Sequence, residues 1–111
     1  MSLSPRMSSP APDPHLSRLA TLWVQAADEA AARSLIETLY PQVFRIVRSH
    51  RPQGMAPDEL AHEVFVQFFK TLHRYDPNRP LENWLSRVAL NVCLKALQQR
   101  HQKRERLWSD L

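Results

Sequence analysis

Asp58-Glu-Leu-Ala-His-Glu-Val-Phe65 and, after a short loop, Trp84-Leu-Ser-Arg-Val-Ala-Leu-Asn91 decide the fold. In the first stretch and its continuation, Leu60, Val64, Phe65, Phe68, Phe69 and Leu72 recur at helical spacing. Pro57 stands where a helix can start without its missing N–H, and Asp58 and Glu59 suit the positive end of the dipole. In the second stretch Trp84, Leu85, Val88, Ala89, Val92 and Ala96 share one face of a helix opening near Leu81. That helix ends in Arg100, Lys103, Arg104 and Arg106, the favourable sign for a C-terminus.

Working outward, Tyr75-Asp-Pro-Asn-Arg-Pro80 is the loop between these two helices, and Arg51-Pro-Gln-Gly-Met-Ala-Pro57 is the turn before the first of them. Upstream, Ala31, Leu35, Leu39, Val43, Ile46 and Val47 form another stripe, starting behind Asp28 and Glu29 and ending near Arg48. Pro41 interrupts its hydrogen bonding, so a kink, or a break with a restart, is expected there. Leu16, Leu19, Leu22 and Trp23 give a short helix that fades near Ala26 and Ala27. Residues 1–15 are rich in serine and proline and read as a disordered arm. Residues 16–106 are then one helical domain, and 107–111 the start of a linker or tail. The chain has 111 residues, enough for one small domain, and a single glycine, Gly54. A sheet protein would need more glycine in its turns, so an all-α bundle of three to four helices is expected.

The net charge of +4 is unevenly spread. Residues 55–83 hold five acids against three bases, whereas residues 84–106 hold six bases against one acid, Glu105. Such a division suits a polyanion on one side and a basic partner on the other; a solvated helix end is the plain alternative. Cys93 is the only cysteine, which excludes an intrachain disulfide and a cysteine-pair zinc site. A reducing cytoplasm is the simplest setting. No apolar run approaches the roughly 18 residues of a membrane span, and the N-terminus has no signal-peptide core.

Catalytic patterns are missing from the sequence. His62-Glu63 opens like a zinc-protease helix, but position 66 is Val where a second histidine is needed. His15, His50, His73 and His101 lack ligand spacing, and there is no Gly-rich phosphate loop. Neither an enzyme nor a cofactor is expected. The candidates are binding residues. Glu59, His62 and Glu63 should lie off the apolar face of their helix, as an acidic docking surface or as a solvated one. Asn78 and Arg79 carry donors suited to base edges and phosphates. Trp84 can close the end of the bundle or offer an edge for base stacking.

Together these residues bring a family into view. From about Leu19 to Arg106 the chain resembles the second conserved region of bacterial sigma factors, especially the short extracytoplasmic-function group. Ala26-Ala-Asp-Glu-Ala through Leu39-Tyr-Pro-Gln-Val-Phe-Arg-Ile-Val47 is similar to its opening helices. Glu59-Leu-Ala-His-Glu-Val-Phe65 resembles its Asp-Leu-x-Gln-Glu-x-Phe signature, and Tyr75 through Asn91 resembles its loop and Trp-Leu-x-x-Ile-Ala-x-Asn helix. The resemblance implies binding to the β′ clamp helices of core RNA polymerase through Glu59, His62 and Glu63. It implies recognition and opening of the promoter minus-ten element, with a flipped base of the non-template single strand at Asn78 and Arg79, and Trp84, Arg87, Asn91 and Lys95 on the DNA side. An anti-sigma factor is a further candidate partner. His62 replaces the family's usual Gln, Leu81 an aromatic, Ser86 a Tyr, and Lys95 and Gln98 the common Asp and Arg. These departures motivate a second reading, an interaction module that binds polymerase or an anti-sigma partner without reading DNA. The family's usual helix-turn-helix for the minus-thirty-five element has no counterpart up to Leu111, so either a fragment or a stand-alone module is expected.

Overall fold

The computed structural model describes residues 12–110; most of the proposed N-terminal arm lies outside them. Four α-helices follow one another: α1 (Pro14–Ala26), α2 (Glu29–His50), α3 (Pro57–Thr71) and α4 (Leu81–Ser109). A 3-10 turn, Leu72–Arg74, closes α3. No strand occurs among the described residues, so the bundle is all-α.

Local chemistry sets the ends of the elements. Asp13 caps α1 by accepting the His15 N–H at 2.9 Å, which places its start at Pro14. At its other end Ala27 adopts the left-handed conformation (φ 50°) and donates to the Trp23 carbonyl at 2.8 Å. Only Ala27 and Asp28 separate α1 from α2, because Asp28 already caps that helix by accepting the Ala31 N–H at 3.1 Å. α3 starts on Pro57 with Asp58 and Glu59 in its first turn, and no side chain caps it. Between α2 and α3 the Met55 N–H returns to the Pro52 carbonyl, a turn whose third residue must take positive φ; Gly54 (φ 89°) fills it. A Cβ on Gly54 would stand 3.1 Å from Arg100 Nη2, so the guanidinium of α4 crosses this turn closely.

α2 passes Pro41 without a break. Pro41 cannot donate to the Glu37 carbonyl, but both residues are exposed, so water can take that bond. Leu35, Leu39, Val43 and Val47 are buried across the proline, and their packing holds the helix together there.

One core joins all four helices. Phe68, Leu35, Val43, Val47, Val64 and Leu85 have no exposed surface, and no charged or polar side chain is buried with them among the described residues. Trp23 fastens α1 to α3, its ring edge-on to Phe69 with centroids 5.2 Å apart. Gln42 ties α2 to the start of α4, its Nε2 donating to the Glu82 carbonyl at 3.0 Å and to Ser86 Oγ at 2.8 Å. α4 packs on this core through Leu81, Leu85, Val88, Ala89 and Cys93, and then runs on through 107–109, where the sequence suggested a linker or tail. No helix among the described residues is long and apolar enough to cross a membrane.

Candidate functional site

Two exposed features stand out, a groove and a loop. Glu59, Glu63 and Gln67 are spaced four apart on α3; Asn91, Lys95 and Gln99 are spaced four apart on α4. On a helix such residues stack along one side. The two rows face each other across a groove of about 800 Å³. Its floor is apolar, with Met55, Leu60, Val92 and Ala96, and Asp58 and His62 complete the α3 rim. Three carboxylates (Asp58, Glu59, Glu63) against one ammonium (Lys95) make the rim acidic. An apolar floor beneath an acidic rim is matched by an amphipathic helix bearing basic residues, the helix-in-groove mode of recognition.

Glu59, His62 and Glu63 are thus brought together as the sequence expected, all exposed. Asn91 and Lys95, which the resemblance set on the DNA side, stand in this same groove opposite the acids. Arg87, one turn before Asn91, is exposed and outside the lining. Gln67 and Gln99 were not singled out from the sequence. Their signal was available, since each continues a four-residue ladder.

The loop of residues 75–80 is built by short-range bonds. The Asp76 carboxylate accepts the Asn78 N–H at 3.0 Å, and the Asp76 carbonyl accepts the Arg79 N–H at 3.0 Å. The Tyr75 hydroxyl donates to the Arg79 carbonyl at 2.6 Å and lies 3.4 Å from Ser17 Oγ on α1. Arg79 Nε is 3.7 Å from Asp76, with both side chains largely in water, so that pair adds little stability. The side chains of Asn78 and Arg79 are exposed. Trp84, in the first turn of α4, is half-buried against the core. Its indole Nε1 is enclosed and has no hydrogen-bond partner. A buried donor left unpaired costs about 1–3 kcal/mol, so the first turn of α4 holds a donor in want of an acceptor.

On the opposite flank of α3, Tyr40 stacks on Phe65 with centroids 6.2 Å apart and donates to Asp58 Oδ1 at 3.4 Å. Desolvation first, then the nearby Asp58 carboxylate, raises the phenol above its ordinary pKa. Burial pushes the Cys93 thiol up as well. No cluster of three or more His, Cys, Asp or Glu side chains suited to a metal ion occurs among the described residues.

The family model for Sigma-70 region 2 matches residues 35–104, from the second turn of α2 through α3 and the loop into the distal part of α4. No curated protein and no solved structure matches the chain.

Proposed function

Since the chain belongs to the Sigma-70 region 2 family, a family of transcription initiation that binds core RNA polymerase and recognises the promoter minus-ten element, we propose that this protein engages polymerase through the α3–α4 groove and meets the non-template strand at the 75–80 loop. The observation that carries the reading is the groove, an apolar floor under Asp58, Glu59 and Glu63. The clamp helices of β′, reached by Glu59, His62 and Glu63, are the proposed occupant. Lys95 and Asn91, on the facing rim, would then meet the same helices or line the path from polymerase to DNA. Asn78 and Arg79 receive a flipped base, Trp84 flanks it, and Arg87 lies on the phosphates. Loop pockets and stacking read single-stranded bases, while cations hold the backbone. The extracytoplasmic-function subtype and a cytoplasmic location belong to this same reading.

The test uses core polymerase and an open-promoter probe. Glu63→Lys is expected to lose co-purification with polymerase while keeping the helical signal, since exposed substitutions change stability by about 0.5 kcal/mol or less. Asn78→Ala on the assembled complex is expected to change base preference more than overall affinity. Retained co-purification by Glu63→Lys would remove the groove from the polymerase interface.

A second reading has its own observation. Ser86 is bound to Gln42 at 2.8 Å and Lys95 sits in the acidic groove, so two positions that depart from the family pattern face inward or toward the polymerase side. That favours a module that binds polymerase, or an anti-sigma partner, without reading DNA. Loss of polymerase binding in Glu63→Lys, together with unchanged base preference in Asn78→Ala, would select it.

A further inference from the structure

The outer face of α4 lies outside the groove, and of the residues given to the DNA strand only Arg87 borders it. Leu90, Leu94 and Leu97 stand on it 43%, 55% and 43% exposed, and Trp108 is 72% exposed. With His101 and Arg104 they fall at intervals of 4, 3, 4, 3 and 4 residues, the spacing of a helix–helix seam. The groove uses a different side of α4, through Asn91, Val92, Lys95, Ala96 and Gln99, and the hydrogen bonds from α2 meet α4 at Glu82 and at Ser86, one turn before Leu90 on the same face. The seam has no partner within the bundle.

Charge narrows what can cover it. Arg87 and Arg104 fall on the seam, whereas the Arg100 guanidinium lies over Gly54; the nearest carboxylate in its distal half, Glu105, stands 3.1 Å from the His101 ring. A second copy of the chain fits poorly. Antiparallel pairing would set Leu94 against Arg104 and Leu97 against His101; parallel pairing would set Arg104 on Arg104. Residues 1–11 of this chain contain Arg6 and no carboxylate, so they cannot supply the complement. Nucleic acid would satisfy the arginines and leave the leucines in water.

We propose that the seam Leu90–Leu94–Leu97–Trp108 docks an acidic amphipathic helix of another protein, leucine-type side chains inward and carboxylates toward Arg87 and Arg104. This goes beyond the polymerase reading and does not rest on it. The seam and the groove are on different sides of α4, so one variant can remove each separately.

The test is titration of the full 111-residue chain, followed by tryptophan fluorescence and calorimetry, with a synthetic helical peptide of about 21 residues, three heptads. One version carries leucine at the seam positions and glutamate at the flanks; its twin carries lysine at the flanks. The glutamate peptide is expected to bind at least about tenfold more tightly than the twin, and more weakly as salt rises. Leu94→Glu should cost at least about tenfold with the far-ultraviolet helical signal unchanged, and Arg104→Glu should abolish the preference for glutamate over lysine. Glu63→Lys should leave peptide binding intact. Equal binding of the two peptides, or binding of neither, overturns the proposal. So does a chain that sediments as a dimer and becomes monomeric in Leu94→Glu, which would give the seam to a second copy. Loss of polymerase co-purification in Leu94→Glu would give it to polymerase.

Discussion

The two halves of α4 are one helix and two environments. Over residues 81–93 Leu81, Leu85, Val88, Ala89 and Cys93 are buried; from Leu94 to Ser109 no residue is buried. Both halves have good helical sequence, and the backbone does not mark where one ends. The difference teaches that hydrogen bonding continues the helix while packing stabilises mainly its first half, Ala96 being the last residue packed against the core. A 29-residue helix is about 43 Å long, more than this small bundle can cover. The far half is therefore left largely in solvent and contributes little to the body.

The largest expected effect comes from making the same truncation in each half. Leu85→Ala removes a side chain with no exposed surface and should cost about 2–5 kcal/mol. Leu94→Ala should cost about 0.5 kcal/mol or less. Urea denaturation of both variants checks this, and equal losses would break the comparison.

Proline sharpens it next. Lys103→Pro, at about 3 kcal/mol of local helix propensity, should reduce the helical circular dichroism of the tail and hardly move the urea midpoint. Val88→Pro should unfold the domain. A midpoint shift in Lys103→Pro of more than about 1 kcal/mol would mean that the tail supports the body.

Thiol chemistry gives a smaller, kinetic contrast. Cys93 is buried and its pKa is raised by burial, so alkylation at pH 8 must await opening of the bundle. A cysteine introduced at the exposed Gln98, with Cys93 replaced by Ala, should react at least about 100-fold faster, the ratio set by an opening of a few kcal/mol. Comparable rates would show that the packed half of α4 opens as freely as the tail.

The smallest effect is alkaline and confined to the body. The Tyr40 phenol is raised by desolvation and by Asp58, so the folded state favours its protonated form. Its contribution is complete below the ordinary tyrosine value of about 10 and is lost as pH rises through the higher folded value. Tyr40→Phe should flatten the fall in stability above about pH 10, and Asp58→Asn should shift its onset toward the ordinary value. An unchanged alkaline profile in Tyr40→Phe would remove this linkage.

Much of the bundle was legible because helix signals are local. Pro57 with Asp58 and Glu59 located the start of α3, and the stripes on α2 and α3 became the core. Pro41 was harder to read. Its lost donor suggested a kink or break, but Glu37 is exposed, so water can take its carbonyl, and the buried residues on either side keep α2 continuous; both are tertiary facts. The site divides the same way. That Glu59 and Glu63 share a helix face follows from their spacing. That Asn91 and Lys95 stand across from them depends on how α3 and α4 are rotated against each other, which neither helix specifies alone. Gln42, which holds the start of α4, is likewise an isolated polar residue until α4 is placed beside it.

The loop at residues 75–80 has a consequence for timing. Tyr75, Asp76, Asn78 and Arg79 already bond to one another, and Tyr75 lies within reach of Ser17. A ligand arriving there meets a shape already made and pays little ordering entropy. Association then waits on encounter and on whatever rearrangement the ligand itself must undergo. If the loop receives a base as proposed, loosening the knot at the Tyr75 hydroxyl would slow capture while leaving Asn78 and Arg79 in place.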